Sequence, residues 1–160
     1  MKPRPPVMRQ KRRYILARIV PPGSCPDQKQ AYLSVLDAAT ALWGDAVVGL
    51  AQPAVVFCDE QYLIVRCRRG SEDAIATALA TVTAVGDRAV ALRTMAVSGT
   101  IHALKRRMRQ IRPVSEPEEC VIGERYFTMY RYPRQKVDLV EKSIKTQKLL
   151  FLTETDLEER

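Results

Sequence analysis

Two stretches of this chain alternate apolar and polar side chains with a period of two, and each leads into apolar residues with the period of a helix. The first alternation, Arg13 to Val20, sets Tyr14, Leu16 and Arg18 against Ile15, Ala17 and Ile19. The second, Gln61 to Arg69, sets Tyr62, Ile64, Arg66 and Arg68 against Leu63, Val65 and Cys67. In a strand these sets occupy opposite faces, so each segment has one strongly apolar side that needs cover. The helical stripes supply it. After the break at Pro21-Pro22-Gly23, and with Pro26 suited to a first turn, apolar residues recur at Tyr32, Val35, Leu36, Ala39, Leu42 and Trp43. Gly44 is the expected C-cap, and Trp43 is expected in the packing rather than as a base-stacking platform.

The intervening and following segments complete a pattern. Ala46 to Cys58 reads as a second strand region, bent at Pro53 and therefore at a sheet edge. Asp59-Glu60 turns the chain back into the Gln61–Arg69 strand. Ser71, with Glu72 and Asp73 behind it, starts a second helix carrying Ile75, Leu79 and Val82, closed by Gly86. Arg88 to Val97 is the fourth strand. The order β-α-β-β-α-β predicts an α+β, ferredoxin-like sandwich, similar to an RNA-recognition domain: a four-stranded antiparallel sheet with two helices on one face. The opposite face is expected to be open. With Tyr14, Arg18, Tyr62, Arg66 and Arg68 on it, that face would be aromatic and basic.

A basic helix follows the fourth strand. Ser98-Gly99 turns into Thr100-Ile101-His102-Ala103-Leu104, and then come Lys105, Arg106, Arg107, Arg109 and Arg112. Cations near a helix C-terminus suit its dipole, but this many exceed what capping requires and call for an anionic partner. The net charge of +8 is unevenly spread. Residues 1–112 hold 18 Lys/Arg against 8 Asp/Glu, and residues 113–160 hold 8 against 10. The chain accordingly divides into a basic flexible arm (1–12), a ferredoxin-like RNA-binding domain (13–112) that includes the added helix, and a C-terminal extension (113–160). In the extension Val121 to Tyr132 reads as a strand or hairpin, Val137, Val140 and Ile144 as a helix, and Leu149–Leu152 as a short apolar segment. The surface it packs on is not legible.

Little in the chain suggests catalysis. Cys25, Cys58, Cys67 and Cys120 form no C-x-x-C pair, and His102 is the single histidine, so no metal site is expected. Ser98 and His102 lie one helical turn apart without a third group or an oxyanion motif, and a helix cap at Ser98 explains them more simply. There is no phosphate-binding glycine loop. No apolar run reaches the length of a membrane span, and the expected location is the cytoplasm.

Lys11-Arg12-Arg13-Tyr14-Ile15-Leu16, the strand Tyr62-Leu63-Ile64-Val65-Arg66-Cys67, and Val97-Ser98-Gly99-Thr100-Ile101 before a basic helix together resemble the archaeal ribonuclease P protein component 2 family. The resemblance spans residues 9–110 in order; the extension has no counterpart in it. It implies an RNA-recognition-type fold without the usual stacking aromatics, in a ribonucleoprotein that removes 5′ leaders from precursor tRNA. The RNA subunit would carry the Mg²⁺-dependent hydrolysis, and this chain would bind no cofactor of its own. The implied partners are ribonuclease P RNA, precursor tRNA, the barrel-shaped protein component 3 and the other protein subunits, in a complex able to dimerise. The candidate RNA-binding residues are Lys11, Arg12, Arg13, Tyr14, Arg18, Tyr62, Arg66, Arg68, Lys105, Arg106, Arg107 and Arg109, with no catalytic residue. Arg predominates among them, and its fork suits the phosphates of a structured RNA. The competing readings are a generic ferredoxin-like RNA-binding module of the translation machinery, and a small-molecule enzyme or sensor on the same fold.

Overall fold

The computed structural model describes residues 9–25, 27–142 and 148–158, so most of the arm lies outside the described residues. The chain forms two compact units, residues 1–105 and 106–160. In the first, β1 (Arg12–Val20) leads to α1 (Gln28–Ala51), β2 (Ala54–Cys58), β3 (Tyr62–Arg68) and α2 (Glu72–Thr81). A small hairpin, β4 (Ala84–Val85) and β5 (Arg88–Ala89), precedes β6 (Ala91–Ser98). The main sheet has the order β2-β3-β1-β6 with every neighbour antiparallel, the ferredoxin-like arrangement expected, and β2 lies at the edge. The β2–β3 turn is built by Asp59, whose Oδ1 accepts the backbone N–H groups of Gln61 (2.9 Å) and Tyr62 (2.7 Å).

The alternation holds in both central strands. Ile15, Ala17 and Ile19 of β1 and Leu63, Val65 and Cys67 of β3 join one core with Ala31, Val35 and Ala39 of α1 and Ile75, Ala78 and Leu79 of α2. Each large aliphatic side chain buried there contributes about 1.5–3 kcal/mol relative to exposure.

Three local expectations need correction. Gly44 does break the first helix (φ 75, ψ 166), but the helix resumes and runs to Ala51, so the segment from Ala46 is helical and β2 begins only at Ala54. Past that kink Val48 and Ala51 rejoin the core, whereas Leu42 and Trp43 are more than two-fifths exposed. The Trp43 indole N–H donates to the Ala74 carbonyl (3.0 Å), tying α1 to α2 from outside the core. Finally, Gly86 (φ 60) turns the β4–β5 hairpin rather than closing α2, which ends at Thr81.

α1 is also long and apolar enough, by length and composition, to cross a bilayer. In the fold it covers a sheet, with buried residues along its length and a non-helical Gly44 whose backbone breaks the regular hydrogen-bond ladder.

The second unit is a meander: β7 (Glu118–Ile122), β8 (Arg125–Tyr132), β9 (Lys136–Glu141) and β10 (Leu149–Thr153), in the order β10-β9-β8-β7, followed by a short α4 (Glu154–Glu158). It has its own core of Phe127, Met129, Val137 and Leu139. The β7–β8 hairpin agrees with the expectation for Val121–Tyr132. The helix expected through Val137 and Val140 is instead strand β9; Ile144 lies outside the described residues. Arg134 (φ 67) and Gln135 (φ 58) make the β8–β9 turn in left-handed conformations with no glycine to announce it.

Candidate nucleic-acid interface

The site is built around α3 (Ile101–Ile111), which follows β6 and runs through the point where the two units are divided. Its start is a nested turn. Ser98 Oγ accepts the Thr100 N–H (3.3 Å), and Thr100 Oγ1 accepts the Ala103 N–H (3.3 Å). Thr100 is therefore the capping side chain, in place of Ser98, and Ser98 shapes the turn before it. Gly99 keeps that turn slim beside Arg13: a side chain there would begin 3.6 Å from the Arg13 guanidinium.

Within α3, Ile101, Leu104, Met108 and Ile111 form an apolar stripe, of which Leu104 and Met108 are buried. At 100° per residue, Arg106 and Arg109 project opposite that stripe, with Lys105 and Arg107 on its two flanks. All four cations are exposed, as are His102 and Arg112. Lys105 lies over the Phe57 ring of β2, its Nζ 5.2 Å from the ring centroid, a cation–π contact that orients its stem along the sheet.

That contact bears on the sheet face expected to be open. Phe57 pairs with Ile64, and Ile64 with Leu16. Leu16 and Ile64 are fully buried and Tyr62 is 1% exposed. The register does put Tyr14, Arg18, Tyr62, Arg66 and Arg68 on this face, since Tyr14 pairs with Arg66, Arg18 with Tyr62 and Arg12 with Arg68. The centre of the face, however, is apolar and closed, and Lys105 of α3 reaches the Phe57 ring on its edge strand. Tyr62 belongs to the packing and offers no stacking surface.

The remaining candidates fall into three groups. Lys11 and Arg68 are exposed, while Arg12, Tyr14, Arg18 and Arg66 are half-buried. Arg13 is on the opposite face of β1 and is paired with Glu72 at the start of α2 (3.3 Å), which gives it a role in the fold. Arg12 and Arg66 line one pocket of about 360 Å³ together with Tyr32, Leu36 and the C-terminal part of α1. Sequence reasoning missed Arg93, an exposed cation of β6 that pairs with Arg18. The signal for it was the register between the first and fourth strands, which a bulge at Met95 offsets by one residue. Among the described residues no group of three or more His, Cys, Asp or Glu side chains comes together to hold a metal.

The thiols are perturbed by packing. Cys25 and Cys58 lie 3.4 Å apart, sulfur to sulfur, so that one thiol supports the ionised form of the other: Cys25 is lowered and Cys58 raised. Burial pushes Cys67 up to about 11, with Glu72 adding to the shift.

Comparison with known proteins agrees with this architecture. The model of the Rpp14/Pop5 family matches residues 13–109, which takes in the main sheet, both covering helices and most of α3. The chain is 68% identical over 160 residues, the whole of both chains, to ribonuclease P protein component 2 of Methanoculleus marisnigri. It is 52% identical over the whole of both chains to the protein of that name from Methanosphaerula palustris. It is also 32% identical over 111 residues, 69% of this chain, to the complete protein of that name from Archaeoglobus fulgidus. This chain belongs to the Rpp14/Pop5 family.

Proposed function

We propose that this chain is an RNA-binding protein subunit of ribonuclease P, supporting the RNA that removes 5′ leaders from precursor tRNA. The observation that carries the reading is its whole-chain identity of 68% to a ribonuclease P protein component 2. As a ribonuclease P component the chain takes part in tRNA processing.

The physical task of such a subunit is electrostatic. Folding a catalytic RNA brings phosphates together against their mutual repulsion, and bound cations offset that repulsion while releasing counterions. Lys105, Arg106, Arg107 and Arg109 on one rigid helix present charge at spacings that a flexible tail cannot hold. Within the first unit, Lys11, Arg12, Arg66 and Arg68 form a cationic group of their own at the end of the sheet. The bond cleavage belongs to the RNA subunit and its Mg²⁺. Ser98 Oγ accepts a backbone hydrogen bond in a turn, which suits a structural role better than that of a nucleophile. Protein partners have their own surface: Leu33, Leu42, Trp43, Val47 and Leu50 of α1 are exposed apolar side chains, suited to component 3 or a second copy of this chain.

The test is precursor-tRNA cleavage by the RNA subunit at limiting Mg²⁺, with and without this chain and its barrel-shaped partner. The chain is expected to stimulate cleavage and to cut nothing alone, and Ser98→Ala and His102→Ala to leave the rate within a few-fold. A loss of roughly a hundredfold on His102→Ala, with RNA binding intact, is the size expected of a general acid–base group and would place catalysis in the protein. Tight RNA binding without any effect on cleavage would favour a generic RNA-binding module.

A further inference from the structure

The pocket shared by Arg12 and Arg66 has a composition that a phosphate-tracking surface alone does not require. One part is cationic, from the two guanidinium groups. Another is apolar and aromatic, from Tyr32, Leu36, Val48 and Pro53. Among the described residues no carboxylate lines it. Its volume, about 360 Å³, falls in the range of small-molecule sites. Arg66, one of the lining residues, also has its Nε buried without a hydrogen-bond partner, an N–H that the fold alone leaves unused.

The wall nearest α1 is specialised as well. The kink at Gly44 redirects the helix, and Gln52 ends it in a left-handed conformation (φ 46, ψ 57), its N–H closing on the Val48 carbonyl (2.9 Å). A helix C-terminus carries carbonyls without helical partners and the negative end of the dipole. Gly49 and Gln52 bring that end to the pocket, where it disfavours a phosphate and favours hydrogen-bond donors.

We infer that this pocket receives one unpaired nucleotide of an RNA, its phosphate on Arg12 and Arg66 and its base against the Tyr32–Leu36–Val48–Pro53 wall. The inference rests on the RNA-binding reading above and adds the ligand. Arg forks bind phosphate in two-point fashion, and unstacked bases are held by aromatic and apolar side chains. With the phosphate kept at the arginines, the base edge meets the carbonyl end of α1. Bases with an exocyclic amino group therefore fit better than uracil.

The experiment uses the full chain, titrated in NMR with cytidine 5′-monophosphate, uridine 5′-monophosphate, inorganic phosphate and N-acetyl-leucine. Cytidine monophosphate is expected to shift the amides of Gly49, Gln52 and Ala54 and to bind about tenfold or more tightly than phosphate. Arg66→Met and Arg12→Met should each weaken it by about tenfold, with thermal unfolding measured alongside to verify folding. Equal binding of phosphate and the nucleotide would reduce the pocket to an anion site and overturn the inference. Preference for N-acetyl-leucine would make it a peptide-carboxylate site and overturn it too. Equal affinity for the two nucleotides would overturn the orientation of the base. Binding of ribonuclease P RNA is measured on the same protein. RNA binding without a nucleotide response sinks this inference alone, whereas loss of both sinks the RNA-binding reading beneath it.

Discussion

A guanidinium facing water on a helix contributes little to stability, which makes Arg106 and Arg107 clean probes of the surface the helix meets. Arg106→Ala with Arg107→Ala should leave thermal unfolding nearly unchanged. RNA affinity should fall, and the slope of log affinity against log salt should flatten by about one for each phosphate no longer engaged. An unchanged slope would make both residues a merely solvated face. Cys67 is the opposite kind of residue, invisible from outside and coupled to pH. Its folded thiol is raised to about 11, whereas an unfolded thiol ionises near 8.5–9. The folded chain therefore keeps a proton that the unfolded chain loses, so the stability is intact below about pH 9 and falls as pH rises toward 11. At about 1.4 kcal/mol per pH unit, the full loss due to Cys67 is about 3 kcal/mol. Urea unfolding at pH 8 and pH 10.5 should show a shallower alkaline decline in Cys67→Val than in the parent chain; equal declines would exclude this thiol as a source.

At the level of elements, two leucines separate what periodicity can and cannot reveal. Leu79 of α2 is fully buried and Leu42 of α1 is 43% exposed, though both lie on stripes that read as core. Leu79→Ala should cost about 2–5 kcal/mol, and Leu42→Ala within about 1 kcal/mol, by chemical denaturation. Equal costs would mean that α1 packs as its sequence suggests. Leu42 sits in the last turn before Gly44 (φ 75), past the buried run of Ala31, Val35 and Ala39, where the regular helix and its stripe end together. From the sequence, Gly44 reads as a stop; that the helix restarts depends on Val48 and Ala51 finding the same core. The central strands were legible because each carries one wholly apolar face of period two. The closed second face was not. Leu16 and Ile64 were visible as apolar, but strand alternation is silent about what buries them.

Among the described residues one core gathers around Leu63, Val65 and Leu79, and another, sharing no residue with it, around Phe127, Val137 and Leu139. Phe127→Ala should then cost about 3–5 kcal/mol in a transition confined to residues 106–160 and leave the other intact, as read by hydrogen exchange of β8 and β9 against β1 and β3. A uniform loss of protection would show a single cooperative unit. The meander was only half legible, because its β8–β9 turn uses Arg134 and Gln135 where a glycine would have marked it. The covered sheet face has a further consequence, in genetics. On the proposed reading the subunit meets its RNA through a cationic helix instead of an open stacking platform; it then reads the spacing of phosphates, and every Watson–Crick pair presents the same spacing. Exchanging G–C for C–G throughout a stem that it grips should therefore pass unnoticed, and compensatory pairs should accumulate there freely. Constraint on nucleotide identity should concentrate where the RNA offers an unpaired base.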